Sequence, residues 1–550
     1  MNRLIALLVF CILGATIYGF TMSNAVKRSA ADDGSPTRAI QTQKKAVDPK
    51  TCFTCHEEVQ SLHTGSKHQR LNCVTCHSNL DLHQEDPSTK PITNLEIKTC
   101  GNCHKEQYDS FFHVNLESRA RVEKATTTSR SPTFDKLMMP HAFTKEHGEP
   151  RSHAFMLVDH YIVDRAYGGR FQYKDLKNIT KTGKAWDLLL DKEPSSNGQK
   201  VFMSQTAIAA NPTCLSCKSS DQILKWKYKG DPSPDAVWSR TSDVVQMARD
   251  LQQPVGCIHC HDPHGTNPRV VRDALIEAVV DRGEGTYPYD KKKSADVTMT
   301  KITFRDFRAI GILNKKDSNL MCAQCHVEYN CNPGHDPKSG AAVTKADPRT
   351  NIFPWTNVLD YNKKMEQFSF KDFKHAVTGA SLSKIQHPET EVFWGSKHER
   401  AGVECKHCHM PVVKKGAKSY TWHGQKSARY MTKETCISCH TYWTEKEAVY
   451  QIDAIQNYIR GKMRKAEFWL AEFIDTYQRA KDLGVDDAQL ANARTYHDQA
   501  HTLWEWWTAE NSDGFHNPAQ ARESLTKSVD AAQEGTKFLE NLIAQKKGTK

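Results

Sequence analysis

Eight times along this 550-residue chain two cysteines stand three positions apart. In seven of the pairs a histidine follows at once. In the fourth, "PTCLSCKSSD" at 212–221, the follower is Lys218. The sites are Cys52/Cys55-His56, Cys73/Cys76-His77, Cys100/Cys103-His104, Cys214/Cys217-Lys218, Cys257/Cys260-His261, Cys322/Cys325-His326, Cys405/Cys408-His409 and Cys436/Cys439-His440. This spacing attaches a c-type haem: the two sulfurs form thioethers with the porphyrin vinyl groups, and the next side chain reaches the iron. Structural zinc is the rival for any one pair, but seven C-x-x-C-H copies in one chain leave it little room. A chain that binds eight covalent haems must fold around them.

Composition agrees. Sixteen of the 18 cysteines lie in the pairs; Cys11 falls in the leader and Cys331 stands alone. Apolar residues make up only 38% of the chain, thin for this length unless porphyrin faces supply part of the core. The formal charge of +11 does not indicate nucleic-acid binding. Eight haems carry roughly sixteen ionised propionates, partly offset by the ferric cores, which brings the holoprotein near neutrality.

The start, "MNRLIALLVFCILGATIYGF", with small residues at 23–25, reads as an export signal over 1–25, and an uncleaved membrane anchor is the alternative. The expected location is the periplasm. A polar linker covers 26–48. Three closely spaced motifs define an N-terminal three-haem domain over 49–135, and five wider ones a catalytic domain over 136–440. No motif follows 441. There the Pro-free amphipathic run 445–484 predicts a long helix, with two more near 487–510 and 519–546. The expected fold is mostly α, a multihaem cytochrome c whose loops and helices wrap a haem stack. An amphipathic helix this long needs a partner face, from a homo-oligomer or from the chain itself.

Electron-transfer haems need a second axial ligand, and seven of the 26 histidines are already proximal. "HTGSKHQRLNC" (63–73) and "FWGSKHERAGVEC" (393–405) echo one another, which supports His68 and His398 as distal ligands. For the first three haems the candidates are His63, His68, His83, His113 or another. The lysine marks a different site. An amine ligates iron only when neutral, and one changed ligand in eight suggests a haem with one face open to substrate. An unligated, drifted lysine is the bland alternative.

A C-x-x-C-K motif followed by several C-x-x-C-H motifs resembles the ammonia-forming cytochrome c nitrite reductases. Its position as fourth of eight resembles their octahaem branch. The likeness runs through "EPRSHAFMLVDHYIVDRAYGG" (149–169), "CAQCHVEYNC" (322–331), "KIQHPE" (384–389), "GSKHERAGVECKHCHMP" (395–411) and "GFHNP" (514–518), over roughly 139–520. It implies nitrite as substrate, with hydroxylamine or sulfite also possible substrates, and an electron-donor protein or quinol dehydrogenase as partner. It also tips the choice for the long helices towards a homo-oligomer.

By the same resemblance Arg165, Tyr329 and His387 surround the open face of the Lys218 haem. A calcium ion takes the Glu328 carboxylate, the Gln386 side-chain carbonyl and the backbone carbonyls of Tyr329 and Lys384, oxygen ligands that suit this ion. His153 serves the His326 haem, His423 the His261 haem, His516 the His409 haem and His398 the His440 haem. Octahaem members also cross-link a cysteine to the catalytic tyrosine, which falls on Cys331 and Tyr329. Hydroxylamine-oxidising octahaem enzymes keep a proximal histidine at the active haem. In tetrathionate-type reductases the lysine falls on another motif. A pure electron-transfer cytochrome would need eight six-coordinate haems.

Overall fold

The structure is a computed structural model that describes residues 46–112, 133–139, 152–157, 195–196, 199–200, 212–304 and 307–548. Helices dominate it, and the strands are short, as the sequence predicts. The leader and most of the linker lie outside the described residues, as do His113 and Arg165. No described helix is long and apolar enough to cross a membrane.

The C-x-x-C-H spacing becomes one helical turn. The His56, His104, His261, His326 and His440 amides each donate to the carbonyl of the first cysteine of their motif, at 2.8–3.0 Å. Residues i, i+3 and i+4 then share a face, so two thiols and an imidazole point to one side. The lysine motif is wound more tightly: Lys218 donates to the Leu215 carbonyl, three positions back, at 2.9 Å.

A small antiparallel sheet, β1 (Arg269–Val270), β2 (Met299–Phe304) and β3 (Arg308–Leu313) in the order β1-β3-β2, braces the middle of the chain. Behind it lies a core that includes Leu275, Ile276, Leu313, Val327, Phe353 and Trp355. Tyr329 and Cys331 belong to this core, on a segment that pairs with another through Asn330 and Ile352. In such an extended run, residues two apart face the same way, so Tyr329 and Cys331 share a side. Two short helices serve the site: α1 (Ser318–Ala323) carries Cys322, and α2 (Glu389–Phe393) begins two residues after His387.

The C-terminal region is a conventional bundle of α3 (Glu445–Asp482), α4 (Asp487–Ala509) and α5 (Pro518–Gly548). Thr444 and Glu447 form a reciprocal cap that starts α3. At its end Gly484 takes φ +75°, and the Gly484 and Val485 amides return to Lys481 and Ala480 carbonyls. Helix α4 is the core element, with Trp504, Trp506 and Trp507 fully buried. Small residues let α5 close on it: Ser524 and Ser528 hydroxyls donate to Leu503 and Ala500 carbonyls at 3.0 and 2.7 Å. A Cβ on Gly535 would lie 2.6 Å from the Phe473 ring. Much of the apolar surface of these helices is buried within the chain, while Tyr450, Tyr458 and Phe468 of α3 stay exposed.

Candidate haem and substrate site

Histidines from distant parts of the chain come face to face. Ring centroids stand 6.1 Å apart for His56 and His83, 6.2 Å for His68 and His104, and 6.3 Å for His77 and His264. They stand 6.2 Å apart for His153 and His326, 6.2 Å for His409 and His516, and 6.4 Å for His398 and His440. His261 and His423 are electrostatic neighbours. A metal–nitrogen bond of about 2.0 Å, plus about 1.2 Å from nitrogen to ring centre, sets two imidazoles on one iron about 6.4 Å apart. The residues therefore fit bis-histidine haem at these positions.

Burial favours the neutral, metal-binding form of His153 and His516, whereas Glu389 raises His326 against its burial. Burial lowers His153 to about 3, helped by its neighbour His326, and His516 to about 4.

The structure sorts the candidates of the first three sites. His68 faces His104 and His83 faces His56. His63 packs instead against Phe53. The partner of His77 is His264, which the sequence reading missed. Its only local signal is its place three residues after His261 in "CHDPHG".

The thiols give the order of sites. Cys52 hydrogen-bonds Cys73, Cys100 bonds Cys257, and Cys322 bonds Cys405. Cys76 lies near Cys100, Cys260 near Cys322, and Cys408 near Cys436. The histidine sites thus follow one another as a row from His56 to His440. The lysine motif branches from it, because Cys217 bonds Cys325 of the His326 motif. Arg272, buried beside Cys217, pairs with Asp273 at 2.5 Å, and its Nε and Nη2 have no hydrogen-bond partner. The sequence held no local signal for it.

Cys55, Cys103 and Cys439 are exposed to solvent, as are the His104 and His261 side chains. Each of these three thiols is the second cysteine of its motif, and Cys55 and Cys439 belong to the two ends of the row. The reason is chemical. A thioether forms with a vinyl group on the porphyrin edge, so the sulfur must be reachable from the haem and needs no cover of side chains.

On the branch, Cys214 Sγ lies 3.4 Å from Cys331 Sγ, which brings the Tyr329 segment against the lysine motif. The Tyr329 and His387 rings stack at 6.2 Å. The Nδ1 atom of His387 faces the Asn511 amide at 3.4 Å and Glu389 Oε1 at 3.9 Å. Burial opposes the charge on Glu389, yet the imidazoles of His326 and His387 hold it well below the usual carboxylate range. Neither Glu389 nor Asn511 was singled out from the sequence.

Behind Tyr329, the buried Glu328 carboxylate accepts from the Gln386 amide at 2.6 Å and the Tyr361 hydroxyl at 3.2 Å. Burial, with Asp372 and Glu505 close by, pushes Glu328 well above its ordinary value. A cation would relieve that cost. The Lys384 ammonium reaches the Ile385 carbonyl and lies 3.2 Å from Glu505. Among the described residues no group of three or more His, Cys, Asp and Glu side chains could hold a metal ion. The proposed calcium set instead relies on one carboxylate and carbonyl oxygens.

Known proteins were compared with this chain. "Cytochrome c-552" of Bacteroides fragilis is 25% identical over 466 residues, 82% of this chain and 79% of that protein. "Cytochrome c nitrite reductase subunit NrfA" of Nitratidesulfovibrio vulgaris is 28% identical over 59% of this chain and 61% of its own length. The solved cytochrome c nitrite reductase of Desulfovibrio desulfuricans shares the fold with a TM-score of 0.57 at 21% identity, covering 82% of this chain and 86% of that one. The family profile "Cytochrome c552" matches residues 188–550, from before the lysine motif to the end of α5. With that match spanning well over half of a chain whose histidines already face each other at iron-bridging distance, this protein belongs to the cytochrome c552 family of c-type cytochromes.

Proposed function

We propose that the protein reduces nitrite to ammonium in the periplasm, at one lysine-ligated haem fed by seven bis-histidine haems. The observation that carries this reading is the meeting of the single C-x-x-C-K motif with the Tyr329–His387 pair, through the 3.4 Å approach of Cys214 to Cys331. A haem held by Cys214, Cys217 and Lys218 would supply an iron with one face open to nitrite. The reaction takes up six electrons and eight protons and yields ammonium and two waters. The row of sites from His56 to His440 suits electron delivery, with entry at the lysine motif through the His326 site.

His387 suits proton delivery. Its ring stacks on Tyr329 and its Nδ1 is turned to Asn511 and Glu389, which orients an imidazole able to exchange a proton with bound substrate. Tyr329 holds a second exchangeable proton beside it. Arg165, outside the described residues, supplies the fixed cation that an anionic substrate needs. Calcium at Glu328, Gln386 and the carbonyls of Tyr329 and Lys384 steadies the backbone that presents Tyr329. A thioether joins Tyr329 to Cys331, and the shared side of the two residues favours it. A donor protein or quinol dehydrogenase provides the electrons, and the working form is a homo-oligomer.

Electron paramagnetic resonance of the pure protein, with and without nitrite, is the test. A high-spin signal that changes on adding nitrite, together with ammonium as product, is the expected result. Eight low-spin haems indifferent to nitrite would refute it.

A further inference from the structure

Ligand imidazoles are usually oriented by a hydrogen bond from the second ring nitrogen, and the partner's charge tunes the metal. At five of the ligand histidines that partner is neutral. The Nδ1 atoms of His68, His83, His409 and His423 face backbone carbonyls of Pro263, Thr89, Lys426 and Thr421 at 2.7–2.9 Å. His77 faces the Thr93 hydroxyl at 3.1 Å.

His326 differs. Its Nδ1 looks at a carboxylate, Glu389 Oε2, at 3.6 Å, and that buried oxygen has no hydrogen-bond partner. The carboxylate is held in place from two directions. Its Oε1 accepts from the Asn511 amide at 3.1 Å, and the Thr390 amide donates to the His326 carbonyl at 3.1 Å, fixing the first turn of α2 against the ligand. His516 and His264 also face carboxylates, Glu510 at 3.7 Å and Asp262 at 3.9 Å, but the Glu510 oxygens are already engaged by the Ser512 and Gly514 amides, and those of Asp262 by the His264 and Gly265 amides and Arg269. The other side of Glu389 meets His387.

We propose that Glu389 is a positioning residue shared by two sites: it lowers the potential of the haem on His326, through which electrons enter the lysine motif, and it holds His387 over the substrate face. A negative oxygen opposite Nδ1–H makes the imidazole a stronger donor, which favours the ferric state. The haem next to the catalytic site thereby becomes a stronger reductant. One carboxylate thus ties the electron input to the proton-handling histidine.

The second half of this proposal rests on the nitrite-reducing reading; the first does not. The experiment is a spectroelectrochemical titration of the full-length holoprotein carrying Glu389→Gln, which keeps the shape and removes the charge. One low-spin couple is expected to move to higher potential while the others hold. In the nitrite assay kcat is expected to fall about tenfold with little change in KM. Unmoved couples in a fully haem-loaded variant overturn the proposal. Should Glu389→Gln not load its haems, Glu389→Asp, which draws the charge back by one methylene, is expected to show the same shift at smaller size, and an unshifted couple there overturns it equally. A wild-type protein inactive towards nitrite would defeat the reading of the reaction and leave the potential measurement intact.

Discussion

The two ends of this molecule are held together by different means. Between residues 46 and 112 only Leu80, Ile97 and Phe111 are buried apolar side chains. The elements there are mostly single turns, and the facing histidines and paired cysteines take the central positions. Two of the attachment thiols in this stretch, Cys55 and Cys103, are open to solvent. Between 445 and 548 three long helices bury Leu470, Phe473, Ile474, Leu503, Trp504, Trp506 and Trp507 against one another. The first region lacks the apolar area that would offset its conformational entropy. Its three C-x-x-C-H motifs mark covalent haem as the proposed centre of its fold. The second needs no cofactor to be a core.

Producing the chain without haem attachment tests that contrast most severely. Hydrogen exchange is expected to find 46–112 unprotected while the 445–548 helices keep slow amides. Equal protection at both ends would break the comparison. Lys218→His comes next. It leaves the haem attached and both folding regimes intact, yet nitrite reduction is expected to fall about 10–100-fold, as measured by steady-state kinetics at full haem content. Full activity would remove Lys218 from the centre of the reaction.

Gly535→Val addresses the other regime. The added side chain meets Phe473 and the Tyr496 Cβ, so the bundle should lose about 1–3 kcal/mol. Thermal unfolding followed by circular dichroism should show the loss, with haem spectra unchanged below the transition. The smallest effect is Thr444→Ala. It removes the hydroxyl half of the reciprocal cap on α3 and should cost about 1 kcal/mol by chemical denaturation.

Much of the site was legible because the chemistry is local. Two cysteines and a ligand within one helical turn can be read from five consecutive residues, and Lys218 stood out against seven histidines. The helices also followed from local signals. The Thr444 and Glu447 cap, the Pro-free amphipathic run and Gly484 bracket α3 at 445–482, two residues short of the expected end. The distal ligands were harder. His264 lies 187 residues from His77, the ring it faces, and its place in "CHDPHG" does not say which ring that is. Glu389 was quoted within "KIQHPE" and passed over, because a carboxylate becomes informative only when the imidazoles on either side of it are known. The exposure of Cys55, Cys103 and Cys439 was equally out of reach, since a motif fixes where a thiol points on its own turn and not what packs over that turn.

The sequence by itself determined the attachment points, the odd lysine and the long C-terminal helices, since each depends on residues a few positions apart. Only the tertiary structure decided which histidine faces which, that the lysine motif branches from the His326 site, that Arg272 lies buried beside Cys217, and that Glu389 stands between His326 and His387. Those relations are set by how loops of unequal length close in space. Closure joins residues that share no local pattern, so no short stretch of the chain records it.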